Sequence, residues 1–221
     1  MPSVSEIITT YLLNDLDQPL PMGREEFYHS QVALFHAGQK PNRAVEIVQI
    51  LLFTPEGDLI LQKRSQKKDH NQGLIDKTIG GHITFGNSPW FTATSETLQE
   101  LHVPSFVLPS DEDFLKSYRL LHNFLAHSAL VQYIDSKTLP LPKLIKTDFV
   151  PVLNKYHFYL GIYGGAIKPV EKEASGIILY TFDHLRQELR ERPRMYTEDL
   201  KFFLEKYQKQ ITEFLKSLTQ T

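Results

Sequence analysis

Glu96, Gln99 and Glu100 carry the plainest chemistry in this sequence. Glu96 and Glu100 are four residues apart, so a helix places them on one face. Gln99, three after Glu96, falls on the edge of that face. Two carboxylates and an amide oxygen can converge on a hard cation such as Mg²⁺ or Mn²⁺. The helix they need is signalled over 88–101: Ser88 is a cap, and Pro89 suits the first turn. Ahead of it, Gly80, Gly81 and Gly86 allow tight backbone turns. The bland alternative is an exposed helix with two unremarkable glutamates, a common surface pattern. Lys63 and Arg64 follow a strand-like run; they either meet ligand phosphates or face water. His82 directly follows the double glycine and could touch a ligand. His70, His122 and His127 lack mutual metal spacing and read as structural. Trp90 reads as core or lid packing, with a pocket wall as the other option, and Tyr11 and Phe35 read as core.

The elements that must position these residues follow from pattern. "EIITTYLLND" reads as a strand and "REEFYHSQVALFHAG" as a helix ending at glycine. "PEGD" turns the chain between two apolar runs, giving a hairpin over 44–65. The run 111–134 reads as one or two helices. "LPLPKLIKTDFVPV" reads as a proline-broken irregular segment. "KYHFYLGIYGG" and "ASGIILYTF" read as strands, and "DHLRQELRER" as a short helix. Residues 197–218 read as one long amphipathic helix with Thr197 as its cap. Strands interleaved with helices predict a layered α/β or α+β domain over 1–221.

The chain has 221 residues, 41% hydrophobic and 23% charged, with formal net charge −2. No basic excess points to nucleic acid, and no Lys/Arg run points to an anionic membrane. With no cysteine, disulfides, thiolate metal sites and a cysteine nucleophile are excluded. No apolar run approaches the ~20 residues of a membrane span. The N-terminal residues lack a basic start and a continuous apolar stretch, so a cytoplasmic protein is expected.

The stretch "GGHITFGNSPWFTATSETLQELHV" resembles the Nudix box: Gly, five residues, Glu, seven residues, then Arg-Glu-apolar-x-Glu-Glu-x-Gly-apolar. Gly81, Glu96, Glu100 and Val103 agree with it. Asn87, Ser95, Thr97, Gln99 and His102 depart from it. The flanks are similar too. "GDLILQKRSQKKDHNQGLIDKTIGGH" and "EKEASGIILYTFDHL" resemble the branch containing isopentenyl-diphosphate isomerase and its hydrolase-like relatives. In the second, Glu173 matches the branch's first Glu and Gly176 replaces its second. The resemblance covers most of 6–108 and 155–205. Residues 109–150 have no counterpart and read as a helical insertion that shapes the pocket or forms a homodimer contact.

The resemblance implies a mixed sheet sandwiched between helices, and a Mg²⁺- or Mn²⁺-dependent hydrolase cleaving a small-molecule diphosphate such as a nucleoside diphosphate derivative. It implies catalytic roles for Glu96 and Glu100, metal ligation by Glu96, Gln99 and Glu100, and ligand contacts from Lys63, Arg64, Gly81, His82 and Glu173. The general base is Glu96 or a later acid, Glu171 or Glu173. Fewer carboxylates imply weak cation binding, or none. The alternative is a Nudix-fold binding protein without catalysis. The isomerase is disfavoured, because that enzyme relies on a cysteine.

Overall fold

The computed structural model describes residues 6–167 and 174–219. In chain order it contains β1 (Ile7–Leu12), β2 (Asp15–Gly23), α1 (Arg24–His36), β3 (Arg43–Phe53), β4 (Leu59–Arg64), β5 (Ile75–Asp76), β6 (Ile79–His82), α2 (Pro89–Leu101), β7 (Ser105–Leu108) and α3 (Asp111–Leu121). There follow β8 (Ala129–Ile145), β9 (Asp148–Ile162), β10 (Ala174–Tyr180), α4 (Phe182–Glu191), α5 (Glu198–Lys206) and α6 (Gln208–Thr219).

The strands join one mixed sheet, with a path β10-β4-β3-β9-β8-β7. β1 and β6 also pair with β3, and β5 pairs with β4. The β3–β9 and β7–β8 pairs are parallel and the others antiparallel. β3 is buried along nearly its whole length because helices cover both faces. Its Val45, Ile47, Leu51 and Phe53 pack with Phe203, Tyr207 and Phe214 of the C-terminal region. Its Val48, Ile50 and Leu52 pack with Ala93 and Leu101 of α2. The sheet is therefore sandwiched between helices, as expected. Among the described residues, no helix is long and apolar enough to cross a membrane.

Several expectations are corrected, among them the helical insertion over 109–150, which is α3 followed by β8 and the start of β9. The helical reading of 111–134 holds for α3 and a 3-10 turn at His122–Phe124, but a strand begins at Ala129. There Leu130 and Val131 insert between β7 and β9, a setting that suits apolar and β-branched side chains. The "LPLPKLI" segment is not irregular either. It is the outer half of β8, paired with β9 through Ile145↔Asp148. Its partner β7 stops opposite Gln132, so Pro140 and Pro142 lie where β8 is an edge and a missing N–H costs little. The C-terminal helix breaks in two at Tyr207, whose backbone (φ −108°, ψ 21°) leaves helical geometry. Its ring is buried, and its hydroxyl donates to Asp135 Oδ2 at 3.2 Å. Of the two aromatics expected in the core, Tyr11 is buried and Phe35 is exposed.

Candidate functional site

Ser88 caps α2 by accepting a hydrogen bond from the Phe91 amide at 3.1 Å. At the other end His102 takes the left-handed conformation (φ 57°) and returns its N–H to Leu98. That is the position where the resembled pattern has glycine, which reaches this conformation without strain. Ser95 and Thr97 turn their hydroxyls back onto the preceding turn, to Phe91 and Ala93. Neither reaches outward as an arginine would.

α2 sends Glu96, Gln99 and Glu100 into one cavity of about 380 Å³. Arg64, Gly81 and His82 line it too. Gly81 has a geometric reason: a methyl group there would overlap the Glu96 carboxylate that lies across it. Gln62 of β4 donates to Glu100 Oε2 at 2.7 Å and fixes that side chain. The Lys63 side chain is exposed, because strand alternation turns it away from the face that carries Gln62 and Arg64. It is not among the lining residues, so the structure does not bring it to the site. Glu171 and Glu173 lie outside the described residues. Trp90 is exposed and stands apart from the cavity.

Several lining residues escaped the sequence. Lys77, between β5 and β6, is buried with its ammonium 2.8 Å from Asp199 Oδ2 and 3.1 Å from Asp76 Oδ1. Arg64 reaches Asp76 Oδ2 at 3.0 Å, and Thr197 donates to Asp76 Oδ1 at 2.8 Å. Burial alone would raise Asp199. Lys77 and Lys143, with the hydrogen bond from Lys77, outweigh it and hold the carboxyl below its ordinary 3.8. Burial would likewise lower Lys77, but Asp199 and Asp76 raise it above 10.5. This floor is a balanced ionic cluster.

Another part of the lining is basic and aromatic. Tyr28 of α1 shares its hydroxyl with His82 Nε2 at 2.7 Å and accepts from Lys143 Nζ of β8 at 2.9 Å. Its ring lies 4.0 Å from that of His70. His70, expected to be structural, lines the cavity. Burial pushes it down to about 2, reinforced by Lys143, Arg24, Arg64 and Lys68. Burial, then Arg24, Lys143, His70 and Lys77, puts His82 well below 6.5. Both imidazoles are neutral at physiological pH, within a field that disfavours further positive charge. The same field attracts an anion.

Hard oxygen donors suit Mg²⁺ or Mn²⁺. Among the described residues, however, no group of three or more His, Asp or Glu could hold a metal ion. Asp76 and Asp199 are engaged with Lys77, and Glu6 with Arg24, leaving α2 to supply two carboxylates and one amide. This set fits a partly hydrated cation that one or two carboxylates share with ligand phosphates, as Mg²⁺ commonly binds. It does not fit a cation caged by protein alone.

No family model matches the chain. It is 26% identical over 140 residues to an isopentenyl-diphosphate Delta-isomerase of Streptomyces coelicolor, covering 63% of this chain and 58% of that protein. It is 25% identical over 151 residues to the enzyme of the same name from Streptomyces griseus, covering 68% and 64%. The chain thus spans less than two thirds of the length of either relative. In structure it is similar to DR0079 from Deinococcus radiodurans (TM-score 0.50, 16% identity, 85% of this chain and 90% of that one). It also aligns with the NUDIX domain of Shewanella oneidensis NrtR, solved with ADP ribose (TM-score 0.48, 13% identity, 81% and 97%).

Proposed function

We propose, for a chain whose fold is that of the Nudix (MutT-like) superfamily, that it hydrolyses the diphosphate linkage of a small molecule, with a divalent cation that arrives largely with its ligand. One observation carries this reading. One cavity is lined both by Glu96, Gln99 and Glu100 of α2 and by Arg24, Arg64, Lys68 and Lys143. The acids suit a cation and its water; the bases suit phosphate oxygens.

A bound cation neutralises phosphate charge and activates water. The chain's own residues do the rest. Glu96, lying across Gly81, accepts the proton of the attacking water at its carboxylate. Glu100, fixed by Gln62, holds the cation side of the ligand with Gln99 beside it. Arg64, fixed by Asp76, presents its guanidinium to phosphate oxygens.

The second reading is a binding protein without catalysis. It is favoured by the two-carboxylate donor set and by the engagement of Asp76 and Asp199 with Lys77. An isomerase, as the Streptomyces relatives are named, is disfavoured because the chain has no cysteine. The deciding experiment is phosphate release across nucleoside and sugar diphosphates with Mg²⁺ and Mn²⁺. Turnover on at least one compound, lost in Glu96→Gln and Glu100→Gln, supports the hydrolase. Ligand binding with no turnover anywhere selects the binding protein.

A further inference from the structure

We propose that Lys143, seated on Tyr28, is an anchor for the ligand's diphosphate that works without any divalent cation; this rests on the diphosphate reading of the cavity.

The first support is position. Lys143 comes from the outer half of the β8–β9 hairpin, and three contacts clip that half onto the loop after β4. His70 bridges to Ile145, the Asn71 amide donates to Leu144 O at 2.8 Å, and the Leu144 amide donates to Asn71 Oδ1 at 2.9 Å. Asn71 is buried in the left-handed region (φ 53°), which asparagine tolerates better than most residues. The backbone beside Lys143 is therefore fixed.

The second support is what surrounds its ammonium. Nζ lies 2.9 Å from Tyr28 Oη and 5.0 Å from the centre of the Tyr28 ring. Among the described residues, no carboxylate comes within ion-pair distance of it. Lys77 is the contrast, an ammonium held between two carboxylates. A phenol oxygen and a ring face orient the Lys143 ammonium without cancelling its charge. An ammonium has three donors, and Tyr28 takes one. The others suit phosphate oxygens. Lys143, Arg24, Arg64 and Lys68 all line this cavity together with His70. Of these, Arg24 pairs with Glu6 and Arg64 with Asp76.

The test is titration calorimetry of inorganic pyrophosphate into the full chain, in excess EDTA at neutral pH. Wild type should bind. Lys143→Met should weaken binding about ten- to a hundredfold, the range of one charged hydrogen bond. Lys143→Arg should stay within about threefold, because it keeps the charge. Lys137→Met, on the same hairpin and paired with Asp135, should not differ from wild type. If Lys143→Met fails to fold, Lys143→Gln takes its place. No binding in EDTA, or equal binding by wild type and Lys143→Met, overturns the anchor. The two proposals fail separately. Lys143-dependent binding without turnover of any diphosphate removes the hydrolase and leaves the anchor. Turnover with pyrophosphate binding indifferent to Lys143 does the reverse.

Discussion

Replacing Lys77 with methionine removes the cation between two buried acids while roughly keeping side-chain volume. The Lys77 and Asp199 side chains are each 8% exposed, and Asp76 is 4% exposed. Asp76 would keep Arg64 and Thr197, whereas Asp199 would keep the Gln49 amide, 2.6 Å from Oδ2. Breaking a buried ion pair from one side costs about 3–5 kcal/mol, because a buried charge is left behind. At about 2–4 °C per kcal/mol for a chain of this size, the melting temperature should fall by roughly 6–20 °C. The sign of the pH dependence is a second check. In wild type, Asp199 is held below 3.8, so its contribution is complete above that value and is lost only as pH falls through the lower folded one. Without Lys77, burial dominates and the carboxyl takes up its proton at higher pH. The gap between wild type and Lys77→Met should therefore narrow from pH 7 towards pH 4. Urea unfolding at both pH values measures it. A deficit below about 1 kcal/mol at pH 7, or one unchanged at pH 4, would refute the argument.

Gly81→Ala should displace the Glu96 carboxylate and weaken Mn²⁺-dependent ligand binding about tenfold by calorimetry, with little change in melting temperature, because a flexible side chain gives way. His102→Gly should raise stability by about 0.5–1 kcal/mol in urea unfolding, since glycine takes the left-handed cap without a Cβ penalty. At Glu46, burial pushes the carboxyl up. Hydrogen bonds from His157 and Tyr11, with Lys155 nearby, outweigh it and hold the group below 4.5. Its stabilisation is thus complete above pH 4.5 and is lost as pH falls through the lower folded value. Glu46→Gln should be less stable than wild type at pH 7, and the gap should shrink below pH 4.5 in acid unfolding followed by fluorescence.

The parts of the fold that sequence revealed are those governed by neighbours in the chain. Ser88 and Thr197 each cap the amide three residues on, and the "PEGD" turn closes the β3–β4 hairpin. The spacing of Glu96 and Glu100 sets their shared face without any tertiary contact. The parts that stayed hidden depend on distant partners. The prolines at 140 and 142 argue against a strand until β9 is placed on one side of them and, among the described residues, no strand on the other. Asp199 reads as an ordinary first-turn acid of a helix, and nothing local tells of Lys77, 122 residues earlier. Lys63 and Arg64 look equivalent in the chain, and only the pleat of β4 turns one inward. Lys143 and Tyr28 meet across 115 residues.

That last kind of contact also governs the order in which the molecule can assemble. Lys77 meets Asp199 across 122 residues, and Gln49 meets the same carboxylate across 150. β3, made early, waits for β9 as its parallel neighbour. Loop closure over such spans must precede the contacts that reward it, which slows folding. The cavity floor, which needs both Lys77 and Asp199, is therefore complete only when distant parts of the chain have met. A chain stopped before residue 199 would carry Lys77 without Asp199, an unbalanced cation beneath the ligand's seat. A ligand that binds the completed cavity favours the folded chain by mass action.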